Sequence, residues 1–264
     1  MLQTTYRKLG IKLTHVWFSS ESESYNLVTS STNKNTDIFF VHGTKFVDLP
    51  NTLIISNQIS LIKHLKGTEE DIWQTFGKHL RSYIKRSQKE ATRIEIYNAQ
   101  EINQEVLCLC KELYEQMKKA KGIPGKFNMK LAREYIKSDA LVVSVAFLDS
   151  KPVGYNAYIV DDKHFRAWLT AFAFRESGED AQAISRVHQQ LEWETMRYCL
   201  SKKIAQYDFG GICSFEEPNG IDKFKISFAK EGQKVEYDNF LAAASLKGRI
   251  LLAGLKLFKK FIFV

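Results

Sequence analysis

Residues 140–209 leave this chain few folds to choose from. Three runs rich in β-branched and aromatic residues, 140–148, 151–160 and 164–172, follow one another across Asp149-Ser150 and Asp161-Asp162. Connections that short join antiparallel neighbours, because a parallel return needs a dozen residues or more. A helical pattern over 181–200 comes next, followed by a strand at 203–209. A meander that enters a helix and returns as a neighbouring strand admits few topologies.

The flanks extend this plan. Thr68 opens a helix with Glu70 and Asp71 in its first turn, where the helix dipole favours acids. Ile72, Trp73, Phe76, Leu80, Tyr83 and Ile84 form one apolar face, and Lys78, Arg81, Lys85, Arg86 and Lys89 occupy the others. A strand at 93–97 and helices at 101–119 and 130–138 lead into the meander. After it come a turn-rich stretch, 210–220, a short helix at 221–228 and a strand at 235–238. Residues 1–66 read as short strands (11–19, 25–30, 37–42, 53–56) between Ser/Asn-rich breaks, too little for a large core alone. The expected class is α/β (α+β), a mixed, largely antiparallel sheet flanked by helices. The expected organisation is a small β-rich segment at 1–66, the main domain at 67–240 and an amphipathic tail at 241–264.

Composition narrows the chemistry. With 44% hydrophobic residues and 4 prolines in 264, the chain can bury a sizeable core. Its net charge of +8 favours acidic partners such as CoA, nucleotide-linked sugars, RNA or anionic lipid, although a solvated basic surface accounts for it equally well. The excess is uneven: residues 78–93 hold six basic residues and one acid, and residues 247–264 hold five and none. Cys108, Cys110, Cys199 and Cys213 show neither C-x-x-C spacing nor a histidine cluster, so reduced thiols are expected, with no metal site. No apolar run follows the first basic residues and no stretch reaches the length of a membrane span. A cytoplasmic protein is expected, peripheral on the inner membrane face if the tail binds lipid. Aromatic and basic residues do not interleave on one strand face, and no zinc or helix-turn-helix pattern appears, which argues against a general nucleic-acid binder.

Three segments carry the chemistry: Tyr207-Asp208-Phe209-Gly210-Gly211-Ile212 closing a strand, Gly220-Ile221-Asp222-Lys223-Phe224-Lys225-Ile226-Ser227-Phe228 soon after it, and the helical segment 72–93, where Leu80-Arg81-Ser82-Tyr83-Ile84-Lys85-Arg86-Ser87 precedes a short strand. In this order they resemble the GNAT superfamily, and more narrowly the Fem-type peptidyltransferases and related envelope-polysaccharide acetyltransferases. The resemblance spans roughly residues 68–240 and implies a GNAT-like domain that transfers an acyl group to an amine. Fem-type enzymes carry two such domains and some have a helical hairpin for tRNA. Only one complete domain is legible here, without the hairpin, which favours acyl-CoA over aminoacyl-tRNA as donor.

Lys225 is the foremost catalytic candidate, as an oxyanion stabiliser or an anchor for an acceptor phosphate; the alternative is a solvated lysine. Asp208 is suited either to orient or deprotonate the attacking amine or to accept N–H groups of the following turn. Tyr207, like Tyr155 and Tyr158, is either a proton donor to the leaving thiolate or a buried hydroxyl. For the donor, Arg175 and Gly178 half-match the GNAT pyrophosphate loop ahead of a helix N-terminus, with Gln182 just inside that helix and Gly210 and Gly211 allowing close backbone approach. Glu176, Glu179 and Asp180 oppose an anion there. Arg81, Lys85 and Arg86 are candidates for a nucleotide diphosphate or lipid-linked acceptor, with Phe224 beside Lys225; a solvated helix face and a core phenylalanine are the alternatives. No Ser/His/Asp pattern indicates a covalent intermediate, so direct attack is expected. His164 and His188 read as packing residues.

The apolar, lysine-spaced segment from Ile250 onward suits either the interface of an anionic leaflet or docking on the core. The leading expectation is an N-acyltransferase using acetyl-CoA on an amino sugar or cell-envelope polysaccharide precursor. A tRNA-dependent peptidyltransferase and a silent GNAT-fold binding protein are the alternatives.

Overall fold

The computed structural model describes residues 1–30, 35–49, 51–173 and 181–262. Along the chain the elements are β1 (Leu2–Lys8), β2 (Ile11–Trp17), α1 (Glu21–Thr29), β3 (Ile38–Thr44), β4 (Thr52–His64), α2 (Glu69–Gln74), α3 (Lys78–Ser87) and β5 (Thr92–Tyr97). Next come α4 (Gln104–Ala120), α5 (Met129–Lys137), β6 (Leu141–Leu148), β7 (Lys151–Val160), β8 (His164–Phe172) and α6 (Ala181–Ser201). The last are β9 (Gln206–Ile212), α7 (Gly220–Phe228), β10 (Gln233–Ala243) and α8 (Leu246–Ile262). They form two compact units, residues 61–234 and residues 1–60 together with 235–264.

In the larger unit β5, β6, β7 and β8 are antiparallel neighbours in chain order, and β9 returns parallel to β8 after the α6 crossover. This is the mixed, mostly antiparallel sheet expected from the sequence. Side chains alternate between its faces. Asn156 and Tyr158 of β7 meet α6, whereas Tyr155 lies near Cys110 and Tyr114 of α4. The main core joins Ile72 of α2, Phe76 of the link after it, and Leu80 and Ile84 of α3 to Trp193 and Met196 of α6 and to Phe165, Tyr207 and Phe209 of the sheet. Residues 68–89 form two helices rather than the single one expected. Thr75 Oγ1 donates to the Ile72 carbonyl and accepts from Lys63 Nζ, and Gly77, a poor helix former, serves as N-cap of α3.

In the smaller unit β1 pairs antiparallel with β2, β2 parallel with β3, and β3 antiparallel with β10. Val16, Phe39, Val41, Phe240 and Ala242 face one cluster with Leu27, while Ile38, Leu241 and Ala243 face another with Leu252. The segment 25–30, expected as a strand, lies in α1 up to Thr29. Its cause is a capping box: Ser20 Oγ accepts from the Glu23 N–H at 3.2 Å, and the Glu23 carboxylate accepts from the Ser20 N–H at 2.7 Å. The Ser/Asn-rich stretch that reads as a break is therefore a helix start. The final strand is also longer than expected, and residues 235–264 share a unit with 1–60 because β10 lies against β3, a pairing that no local pattern announces.

Candidate active site

β8 and β9 pair through three registered positions, His164 with Gln206, Phe165 with Tyr207 and Arg166 with Asp208. Beyond them no pair joins the two strands, although β8 runs to Phe172 and β9 to Ile212. The strands therefore part beside Asp208. Gly210 follows at φ +72°, a left-handed conformation that costs glycine little. A Cβ built on Gly210 would lie 3.5 Å from the Ala167 carbonyl of β8 and 4.0 Å from Lys225 Nζ, so the ammonium sits at the mouth of this gap.

α7 delivers Lys225 there. Asn219 caps α7, accepting from the Asp222 N–H at 3.0 Å. The buried Asp222 carboxylate accepts from the Cys213, Ser214 and Asn219 N–H groups at 3.0–3.3 Å, tying the helix start to the chain leaving β9. Lys225, one turn on, donates to the Gly211 carbonyl at 2.7 Å. Burial lowers its pKa, opposed by the charges of Glu192, Asp208 and Asp222.

Asp208 is engaged through both oxygens. Oδ2 accepts from Arg166 Nη1 at 2.7 Å in a buried ion pair, and Oδ1 accepts from the Gly210 N–H at 2.7 Å. That geometry commits the two carboxylate oxygens to Arg166 and to holding the turn. The Tyr207 hydroxyl is buried, donates to Glu192 and lies 2.9 Å from the Tyr158 hydroxyl. Burial drives both phenol pKa values far up, foremost among several causes.

These bonds belong to a polar cluster behind the gap. Asn156 Nδ2 donates to Glu192 Oε1 at 2.9 Å and to Tyr158 at 3.0 Å, and Tyr158 donates to Glu192 at 3.3 Å. Burial pushes the Glu192 carboxyl up to about 7, against the pull of these donors and of Lys225. Burial and the Lys225 charge push His188 down to about 3, so its ring is neutral. His188 is sandwiched between Phe224, at 4.1 Å, and Phe172, at 4.0 Å. Its Nε2 and Asn156 Oδ1 are buried with no hydrogen-bond partner among the described residues. Sequence reasoning missed Glu192 and Asp222. The signals were a carboxylate in the buried stripe of α6, between Leu191 and Thr195, and the Asn-x-x-Asp spacing that opens α7.

The structure thus brings Tyr207, Asp208, Gly210, Gly211 and Lys225 together, with Phe224 preceding Lys225 on α7 and stacked on His188. Arg81, Lys85 and Arg86 line a different feature, an open groove of about 700 Å3 along α3 that also takes in Trp73, Lys78 and Lys89. There Arg81 donates to Gln74 at 2.6 Å, Arg86 pairs with Glu90 at 3.3 Å, and Lys85 Nζ stands 5.9 Å from the Trp73 ring. Gln182 is exposed in the first turn of α6. Arg175 and Gly178 lie outside the described residues.

The sequence profile described as "Acetyltransferase (GNAT) domain" matches residues 76–225, more than half of the chain and the stretch that contains the parting strands and Lys225. The chain belongs to the GNAT family. It is an acyltransferase by that membership. No curated protein matches this GNAT sequence. Among solved structures it is similar in fold to FemX, at 12% identity over 91% of this chain and 83% of that one, with a TM-score of 0.58. The C-terminal domain of a putative lysylphosphatidylglycerol synthetase from Agrobacterium fabrum is 10% identical over 97% of this chain and 84% of its own, TM-score 0.53. L-PGS from Bacillus licheniformis is 10% identical over 95% and 84%, TM-score 0.51. The fold likeness to FemX extends beyond the residues of the family match.

Proposed function

We propose that this GNAT protein acylates an amine of an amino sugar or another cell-envelope precursor, taking the acyl group from acetyl-CoA by direct attack. A neutral amine nitrogen adds to the thioester carbonyl, the carbon–sulfur bond breaks, and CoA leaves as thiolate while the nitrogen gives up its proton to solvent. The Lys225 ammonium faces the oxygen on which negative charge develops. Asp208 acts by holding Arg166 and the Gly210 turn, and Gly210 and Gly211 leave room for the donor. Tyr207 and Glu192 fix the strand behind. The observation that carries the reading is the gap between β8 and β9 with Lys225 Nζ at its mouth. A preorganised cation at such a position stabilises the transition state more than the bound substrate.

A second reading has a specific observation in its favour. A groove with five cationic side chains suits a polyanionic donor, and an aminoacyl-tRNA serving a Fem-like transfer to a peptidoglycan precursor is such a donor. The two readings separate in one assay. The protein is incubated with a panel of amino sugars and envelope precursors and with either acetyl-CoA or charged tRNA, and acylated product is read by mass spectrometry. Product that requires the thioester and survives RNase supports the first reading. Product that requires charged tRNA and disappears with RNase replaces it with the second.

A further inference from the structure

We propose that α8 is an interfacial helix that holds the protein on an anionic lipid surface through the face turned away from the core. At about 100° per residue, positions 246, 250, 253 and 257 fall on one stripe and positions 248 and 252 on the opposite side. The inner side is fastened to the smaller unit. Leu252 is 2% exposed within the cluster of Ile38, Leu241 and Ala243. Gly248 lies so close to the chain at Asp37 that a Cβ on it would come within 2.0 Å of that carbonyl oxygen. Ser245 Oγ donates to the Asp37 carboxylate at 2.6 Å, and Lys247 Nζ donates to the Gly10 carbonyl at 2.7 Å. The helix is thus packed in place by one face, while Leu246, Ile250 and Leu257 on the other are 74%, 67% and 60% exposed.

The occupant follows from charge. Arg249 and Lys256, both exposed, border the apolar stripe on one side, and no Asp or Glu occurs after Asp238. A stripe of large aliphatic side chains edged by cations, without an acid, matches the headgroup–acyl boundary of a bilayer containing anionic lipid. At about 1.5 Å per residue α8 is roughly 25 Å long and suited to lie in that plane. Among the described residues no helix is long and apolar enough to cross a membrane.

The test is sedimentation of the full chain with vesicles of phosphatidylcholine alone or with a quarter phosphatidylglycerol. The protein is expected to pellet with the anionic vesicles and not with the neutral ones. Arg249→Gln with Lys256→Gln is expected to lower the partition coefficient about thirtyfold at low salt, and Ile250→Ser with Leu257→Ser at least about tenfold. All four residues point away from the core, so thermal unfolding should stay at the wild-type temperature. Failure of the wild-type chain to pellet with anionic vesicles, or pelleting that both double variants preserve, overturns the proposal. So does a concentration-dependent dimer in analytical ultracentrifugation that Ile250→Ser with Leu257→Ser abolishes, because the stripe is then a contact between two copies.

Discussion

Glu192 and His188 sit one helical turn apart on α6 and titrate in opposite senses. Glu192 is raised from 4.5 to about 7, so in that window the folded chain keeps a proton that the unfolded chain releases. Its contribution to stability is complete below pH 4.5 and is lost as pH rises towards 7. His188 is lowered from 6.5 to about 3, so the unfolded chain binds the extra proton and stability is lost as pH falls through that range. Between pH 4.5 and 6.5 the two slopes oppose each other. Glu192→Gln removes one of them, and unfolding free energy should then rise with pH more steeply than in the wild type, by about 1.4 kcal/mol per pH unit. Urea titrations at about pH 5 and about pH 6 read this difference; parallel behaviour of the two proteins would show that Glu192 is ionised in the fold. Residue patterns gave Lys225 and the Gly210-Gly211 turn because both lie in short contiguous motifs. They did not give Glu192, whose partners Asn156, Tyr158 and Tyr207 come from strands dispersed along the chain.

At the scale of elements, α7 and α3 present their cations differently. α7 is anchored at its N-terminus by Asp222, and Lys225 is half-buried with its head on a backbone carbonyl. α3 shows its charges to solvent along an open groove. Exposed cations of this kind add little to folding and much to the capture of an anion. Lys85→Glu with Arg86→Glu should therefore raise KM for the phosphate-bearing substrate about tenfold or more and weaken its salt dependence, with a melting temperature within a few degrees of wild type. An unaltered KM across salt concentrations would reduce the groove to a solvated helix face. The elements from 140 to 201 were legible because tight turns and one long amphipathic pattern fix them locally. α1 was not, since its Ser-rich start reads equally as a loop until Glu23 is seen to close the capping box. The break between α2 and α3 depends on Thr75 bonding back to Ile72, which competes with helix continuation and leaves no periodicity signal.

At the scale of the whole molecule, the order β6–β7–β8 in the larger unit follows from connection length, whereas the smaller unit depends on β3 meeting β10, residues that are nearly two hundred positions apart. Hydrophobic alternation marks such strands without naming their partners. The transferase chemistry rests on the larger unit, where the family match and the parting strands coincide. In the proposed reaction an ammonium at the mouth of that gap stabilises the charge formed during acyl transfer. The direct measurement is single-turnover acyl transfer by Lys225→Met, with donor affinity measured in parallel and whichever donor class supports turnover in the wild type. The rate should fall about 100- to 1,000-fold while donor affinity stays within about threefold. A rate within about fivefold of wild type would show that Lys225 does not stabilise the transition state.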